Sequence, residues 1–249
     1  MLQKICLECQ IEGELKASYQ WGTIMHGVLM ESLPPEVAGY MHQKQLRPFS
    51  QYVQPKEDGA FTWHIGLWDE EVAEHIIKAV MSMTHINMKH KGVILTVQAS
   101  SRNCLSENDY FKRFFGRPAP CRRYEINYLT PSTHKQDGRY ALFPSPELII
   151  NSLFMRYNTF IEKYSIDDLE AITHVVEHLH LVRYSLRTAV FYLEKTKITG
   201  YLGKITLAIT GPGSLARLAG ALISFGEYSG IGIKTALGMG AVAIKELSN

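Results

Sequence analysis

Residues 226–240, GEYSGIGIKTALGMG, constrain this chain more than any other stretch. They space four glycines as Gly230-x-Gly232-x5-Gly238-x-Gly240, with Lys234 and Thr235 between the two pairs. Ahead of them Leu215, Leu218, Leu222 and Phe225 recur near one face of a helix over Ser214–Phe225. Behind them Ala241, Val242, Ala243 and Ile244 read as a last strand. A glycine-laden loop therefore joins a helix, with Gly226 expected as its C-cap, to a strand. Glycine reaches φ > 0 cheaply and lets a second backbone approach closely. Successive free N–H groups in such a loop form a concave anion site, and Lys234 and Thr235 suit contact with a phosphate chain. Two nucleotide motifs are excluded. A Walker A loop places Gly directly before Lys-Ser/Thr, and Ile233 stands there. A dinucleotide fingerprint needs a third Gly where this chain has Thr235.

With 249 residues, 46% of them hydrophobic, the chain has material for one large or two small domains with a real core. No apolar run approaches a membrane span. The opening Met1–Leu15 mixes Lys4, Glu8 and Glu12 with apolar residues, unlike a signal peptide, so a cytoplasmic location is expected. Cys6 and Cys9 form C-x-x-C, but on a strand they point to opposite faces, and Cys104 and Cys121 add no second close pair. Buried thiols are expected rather than zinc. The formal net charge of +2 makes no nucleic-acid magnet of the whole molecule, so distribution matters more. Lys112–Arg123 holds five cations and no acid, and Arg183, Arg187, Lys195, Lys197 and Lys204 recur along expected strands. Such bunching suits a local track for phosphates.

Read in order, Met1–Leu15 is a strand and Ser18–Leu33 a helix stopped by Pro34-Pro35. Pro35–Gln43 is a short second helix. Pro48–Val53 and Phe61–Leu67 pair around the turn Pro55–Gly59. Asp69–Met83 is a helix with Asp69 as N-cap, and Gly92–Ala99 a strand. This is a β-α-β-β-α-β unit. After the linker candidate Gly116–Pro120 the order returns: strand Cys121–Leu129, an outlying strand Arg139–Phe143, helix Ser145–Tyr164 and a second helix within Asp167–His178. Strands Leu181–Leu193 and Gly203–Thr210, the Ser214 helix, the loop and the last strand complete it. The expected fold is α+β: two tandem ferredoxin-like (RRM-like) domains, 1–117 and 118–249, with a C-terminal glycine-rich loop. No aromatic RNP signature is present, so RNA contact would run through basic side chains and the loop.

The loop, led by Phe225-Gly226-Glu227-Tyr228-Ser229-Gly230, resembles the terminal glycine loop of the RAMP superfamily of CRISPR systems. Four further stretches in order resemble the endoribonuclease of that superfamily that processes precursor CRISPR RNA. They are Met25–Met30; Tyr40-Met41-His42 with Arg47-Pro48-Phe49-Ser50; Leu129-Thr130-Pro131-Ser132 running on to Phe143-Pro144; and Thr199-Gly200-Tyr201-Leu202-Gly203. The resemblance implies metal-independent cleavage, with no cofactor: a ribose 2′-OH attacks the adjacent phosphate, leaving a 2′,3′-cyclic phosphate and a 5′-hydroxyl. Such chemistry needs a base, an acid and a cation, and histidine suits both proton roles at neutral pH. His26 and His42 match the family's two catalytic positions, domain 1–117 carrying both. The family often adds a lysine a few residues later; here Lys44 and Arg47 stand at inexact offsets, and Arg47 is preferred because guanidinium holds phosphate oxygens well.

By the same resemblance Gly230, Gly232, Lys234, Thr235, Gly238 and Gly240 grip the RNA backbone, and Arg187, Lys195 and Lys197 hold a stem or its flank. His134, where relatives tend to carry an aromatic or apolar residue, is read as structural. His174 and His178 share a helix face, but H-E-x-x-H is absent, so no metal site is expected. The expected partners are precursor CRISPR RNA and an effector complex, with no membrane, the chain being a monomer or homodimer. The alternative is a RAMP subunit that binds guide RNA in an effector complex without cutting it. A ferredoxin-like small-molecule or metal-binding protein is the third reading.

Overall fold

The computed structural model describes residues 1–11, 15–43, 46–57, 59–161, 165–193 and 196–248, without the side chains of 42, 43, 90 and 160. The first half runs β1 (Leu2–Ile11), α1 (Gly22–Ser32), α2 (Pro35–Gln43), β2 (Phe49–Pro55), β3 (Ala60–Leu67), α3 (Glu70–Met81), β4 (His85–Met88), β5 (Val93–Leu105) and α4 (Glu107–Phe115). Its five strands form one antiparallel sheet in the order β2-β3-β1-β5-β4. Alternation sets the register. On β1, Ile5, Leu7 and Cys9 are buried while Cys6 faces the other side beside His64, so the two cysteines diverge as expected. The Asp69 carboxylate accepts from Val72 N–H and starts α3.

The second half runs β6 (Arg123–Ser132), β7 (His134–Gln136), β8 (Arg139–Ala141), α5 (Pro146–Phe160), α6 (Leu169–His178), β9 (Leu179–Tyr192), β10 (Lys197–Ile209), α7 (Gly213–Ser229) and β11 (Val242–Glu246). Its main sheet is antiparallel, β11-β6-β10-β9, and β7 pairs with β8 apart from it. The chain is thus an α+β fold of two tandem ferredoxin-like units. Each sheet has its own large apolar cluster, and the second also takes in Leu2, Trp68, Tyr110 and Phe114 from the first half.

Several expectations are corrected. The helix expected over Ser18–Leu33 is a 3-10 turn, Tyr19–Trp21, followed by α1. The turn lets the Gln20 side chain reach β9: its Nε2 donates to Val190 O at 2.7 Å, and Tyr192 N–H donates to its Oε1 at 2.9 Å. Helix α7 passes through Gly226 and ends at Ser229, capped by Gly230. A Cβ on Gly226 would press on the Ile231 side chain at 3.0 Å, so this glycine lets the returning loop pack closely against α7. Helix α4 was concealed within a charge run. Ser106 caps it by accepting from Asp109 N–H, and Tyr110 and Phe114, four apart, form its buried stripe. The basic track there is partly internal. Arg113 and Arg117 pair with Glu246 at 3.2 and 2.5 Å, and Arg122 donates to Ile209 O.

Candidate nucleic-acid interface

The glycine loop is built by backbone conformation. Gly230, Gly232, Gly238 and Gly240 have φ of 67, 99, 104 and 69°, all values that disfavour a side chain. Their N–H groups point into the protein rather than to an anion. Gly232 donates to Ser152 Oγ, Gly240 to Pro131 O, Gly238 to Thr235 O and Gly230 to Gly226 O. Ile231 and Ile233 donate to Gly240 O and Thr133 O. The expectation that the glycines' own amides form an open anion nest is therefore corrected. They hold a fixed scaffold, and the exposed side chain it presents is Lys234. Lys234 is itself left-handed, at φ 57°, one of two such non-glycine residues among those described. A strained residue held at a cleft is a pointer to function.

That scaffold abuts α1. A Cβ on Gly238 would stand 2.9 Å from Gly22 Cα, and one on Gly22 would stand 2.5 Å from Leu237 O, so backbone packs on backbone. Gln51, buried in β2, ties the contact. Its Nε2 donates to Gly22 O at 2.7 Å and to Ala236 O at 3.0 Å, and its Oε1 accepts from Trp63 Nε1 at 2.9 Å. One turn beyond Gly22, on the same helix face, comes His26. Its ring is half-buried and lies parallel to Phe49, with centroids 6.0 Å apart.

A cleft of about 640 Å³ opens at this junction. It brings together His26, Arg47, Lys234 and Thr235, expected from distant parts of the chain, with Lys135, Tyr140 and Arg156. Its described lining holds Arg47, Lys135, Arg156 and Lys234 and no carboxylate. Arg156 is buried in α5. It donates to Ser152 Oγ at 2.7 Å and to Gly232 O, and burial lowers its pKa to about 10. Burial also lowers that of Arg47. Carbonyl and hydroxyl acceptors do not neutralise a guanidinium, so the cleft keeps its positive field.

Other expected residues stand elsewhere. His42 lies in the last turn of α2, its side chain outside the described atoms. Lys44 and Lys195 fall outside the described residues. Arg187 and Lys197 are exposed on the β9–β10 pair, whose far end packs through Phe191 and Ile198 on Met239 of the loop; neither lines the cleft. Among the described residues no three His, Cys, Asp or Glu converge as metal ligands. Sequence reasoning missed Arg156, although it sits three residues after buried Leu153, on the inward face of α5. Lys135 and Tyr140 come from the small β7–β8 pair; the outlying strand expected over Arg139–Phe143 covers Tyr140, but its three-residue partner β7 was too short to signal.

Two tandem ferredoxin-like units with a glycine loop set against a basic cleft form a RAMP-like fold. The CRISPR-associated endoribonuclease Cas6 family model matches residues 126–242. The Cas6 endoribonuclease of Mycobacterium tuberculosis is 27% identical over 99% of this chain and 79% of its own length. That of Streptococcus thermophilus is 28% identical over 89% of this chain and 90% of its own length. A solved product complex of Cas6 from Thermus thermophilus superposes with a TM-score of 0.80 at 21% identity, covering 98% of this chain and 100% of that one. These likenesses support a CRISPR-associated endoribonuclease of precursor CRISPR RNA processing. Among the described residues no helix is long and apolar enough to cross a membrane.

Proposed function

We propose that the cleft between α1 and the glycine loop is where this endoribonuclease cuts precursor CRISPR RNA within its repeats. The observation that carries this is the meeting of His26 with Arg47, Lys234 and Arg156 in one cleft whose described lining holds no acid. The ribose 2′-oxygen attacks the neighbouring phosphorus as its proton leaves. The bond to the 5′-oxygen breaks, and that oxygen takes up a proton. The products are a 2′,3′-cyclic phosphate and a 5′-hydroxyl, and no metal enters the step. His26 supplies one proton role and His42, from the end of α2, the other. Arg47, with Lys44 three residues before it in the sequence, steadies the phosphate, and fixed cations stabilise the charge of the pentacoordinate state.

Lys234 and Thr235, held by the four loop glycines, position the RNA backbone. Exposed Tyr140 and the edge-to-face pair Phe143–Tyr184 offer faces for bases, while Arg187, Lys195 and Lys197 hold a stem or its flank. The units are taken as 1–117 and 118–249, with a cytoplasmic location. The product is handed to an effector complex by a monomer or homodimer. The test is cleavage of the repeat encoded beside the gene, in EDTA, with end-group analysis. Cyclic-phosphate and 5′-hydroxyl ends are expected from the wild type and none from His26→Ala. Cutting that requires a divalent ion, or leaves 5′-phosphate ends, overturns the mechanism.

A further inference from the structure

Beside the cleft, and sharing Leu46, Lys135, Arg156 and Ile233 with it, lies a smaller cavity of about 230 Å³. One wall is α5, which brings Asn151 and Met155 four residues apart on one exposed face. The other is β7, which brings His134. His134 is only 4% exposed, yet its Nε2 finds no hydrogen-bond partner in the protein. A buried nitrogen left in that state is unfavourable unless a ligand or water completes it. Burial, with Arg156 alongside, lowers its pKa to about 4, so the ring is neutral and offers one donor and one acceptor. Met155, 58% exposed on the same helix face, presents a flexible, polarisable thioether on which a planar ring can rest. Pockets for drug-sized ligands run to roughly 300–1,000 Å³, so this one suits a single ring system.

Resting on the reading of the neighbouring cleft as the phosphate site, we propose that this cavity receives one unstacked nucleobase of the RNA. His134 and Asn151 meet its polar edge and Met155 covers its face. Arg156 forms the partition: a phosphate on the cleft side places the base of a neighbouring nucleotide on the His134 side. Single-stranded RNA is read in this way, by bases splayed from the strand and bonded along their edges. The site would give the enzyme a choice of nucleotide at one position. His134 thus changes from a structural residue to one that sets specificity.

The test is a set of synthetic RNAs of the repeat encoded beside the gene, each with one abasic position and a 2′-deoxy sugar at the cut site. Binding is measured, so the outcome stands apart from cleavage. One abasic position is expected to weaken wild-type binding by about tenfold, as loss of a paired base edge does. His134→Leu should weaken intact RNA similarly, yet have no further effect on the RNA abasic at that position. Asn151→Ala and Met155→Ala, both on the exposed helix face, carry the same cycle if His134→Leu fails to fold. Equal binding of every abasic RNA overturns the proposal. So does strict additivity of all three variants with every abasic site. A coupled position in a protein that does not cut the intact repeat would retain the base site and reject the cleavage reading.

Discussion

On one wall of the cleft the backbone follows the regular hydrogen bonding of α1, and one side chain, His26, is proposed to bring the chemistry. On the other wall the backbone passes four times through positive φ at glycine, and its amides are tied to Pro131, Thr133 and Ser152. Beyond Gly22, which packs on Leu237 and Gly238, the helical wall tolerates change in its frame, but on the proposed reading not at His26. The loop wall tolerates a change of charge at Lys234 but not of frame. Shape and reactivity have been assigned to different walls, so they can be disturbed separately.

The largest separation is expected at His26. His26→Ala should lower single-turnover cleavage by about a hundredfold or more while the dissociation constant for uncleavable RNA holds, since a proton-transfer group acts mainly in the transition state. Unchanged cleavage would remove His26 from the reaction. The next effect is on stability, in acid, on the loop wall. His134 binds its proton near pH 4 in the folded chain, against about 6.5 when unfolded. The unfolded chain therefore holds more protons across that window. Stability is full above pH 6.5 and falls as pH drops towards 4, by up to roughly 3 kcal/mol. His64, also brought to about 4 by burial, pulls the same way. Melting curves between pH 4 and 7 should flatten in His134→Phe, with the share from His64 remaining.

Gly240→Ala comes third. The new Cβ would run into Ile231 O at a φ of 69°, so a loss of at least about 2 kcal/mol is expected in denaturant unfolding. By contrast Gly27→Ala on the helical wall, where a Cβ meets nothing within 4 Å, should leave stability the same or higher. The smallest effect is the most diagnostic. Lys234→Gly should stabilise the fold by under about 1 kcal/mol, by relieving a left-handed lysine. It should also weaken RNA binding and lower the salt slope by about 0.7. If both measurements moved in the same direction, Lys234 would not be strained in the service of a ligand.

The features legible in the sequence were those with a local cause. The glycine spacing marks positive φ at each of the four positions, Asp69 marks the start of α3, and alternation marks the strands. The order of elements was enough for two ferredoxin-like units. Helix α4 was missed because Lys112, Arg113 and Arg117 drew attention to charge, whereas Tyr110 and Phe114 carry the packing. The end of α7 was misjudged because Gly226 looks like a cap, while its role is to let Ile231 of the returning loop come close to the helix. The cleft was half legible. His26, Arg47 and Lys234 stand out by type, but Arg156 becomes conspicuous only once the fold shows it reaching the carbonyl of Gly232.

Gln51 carries one more consequence. Its carboxamide is planar and short, and both walls are attached to the same nitrogen, through Gly22 O and Ala236 O. Trp63 fixes the orientation of that amide from the far side. The gap proposed to receive a ribose and its phosphate is therefore gauged from beneath, by an uncharged group in the interior of the first sheet. Tuning of surface cations changes how firmly a strand is held; the width of its seat is set one layer down.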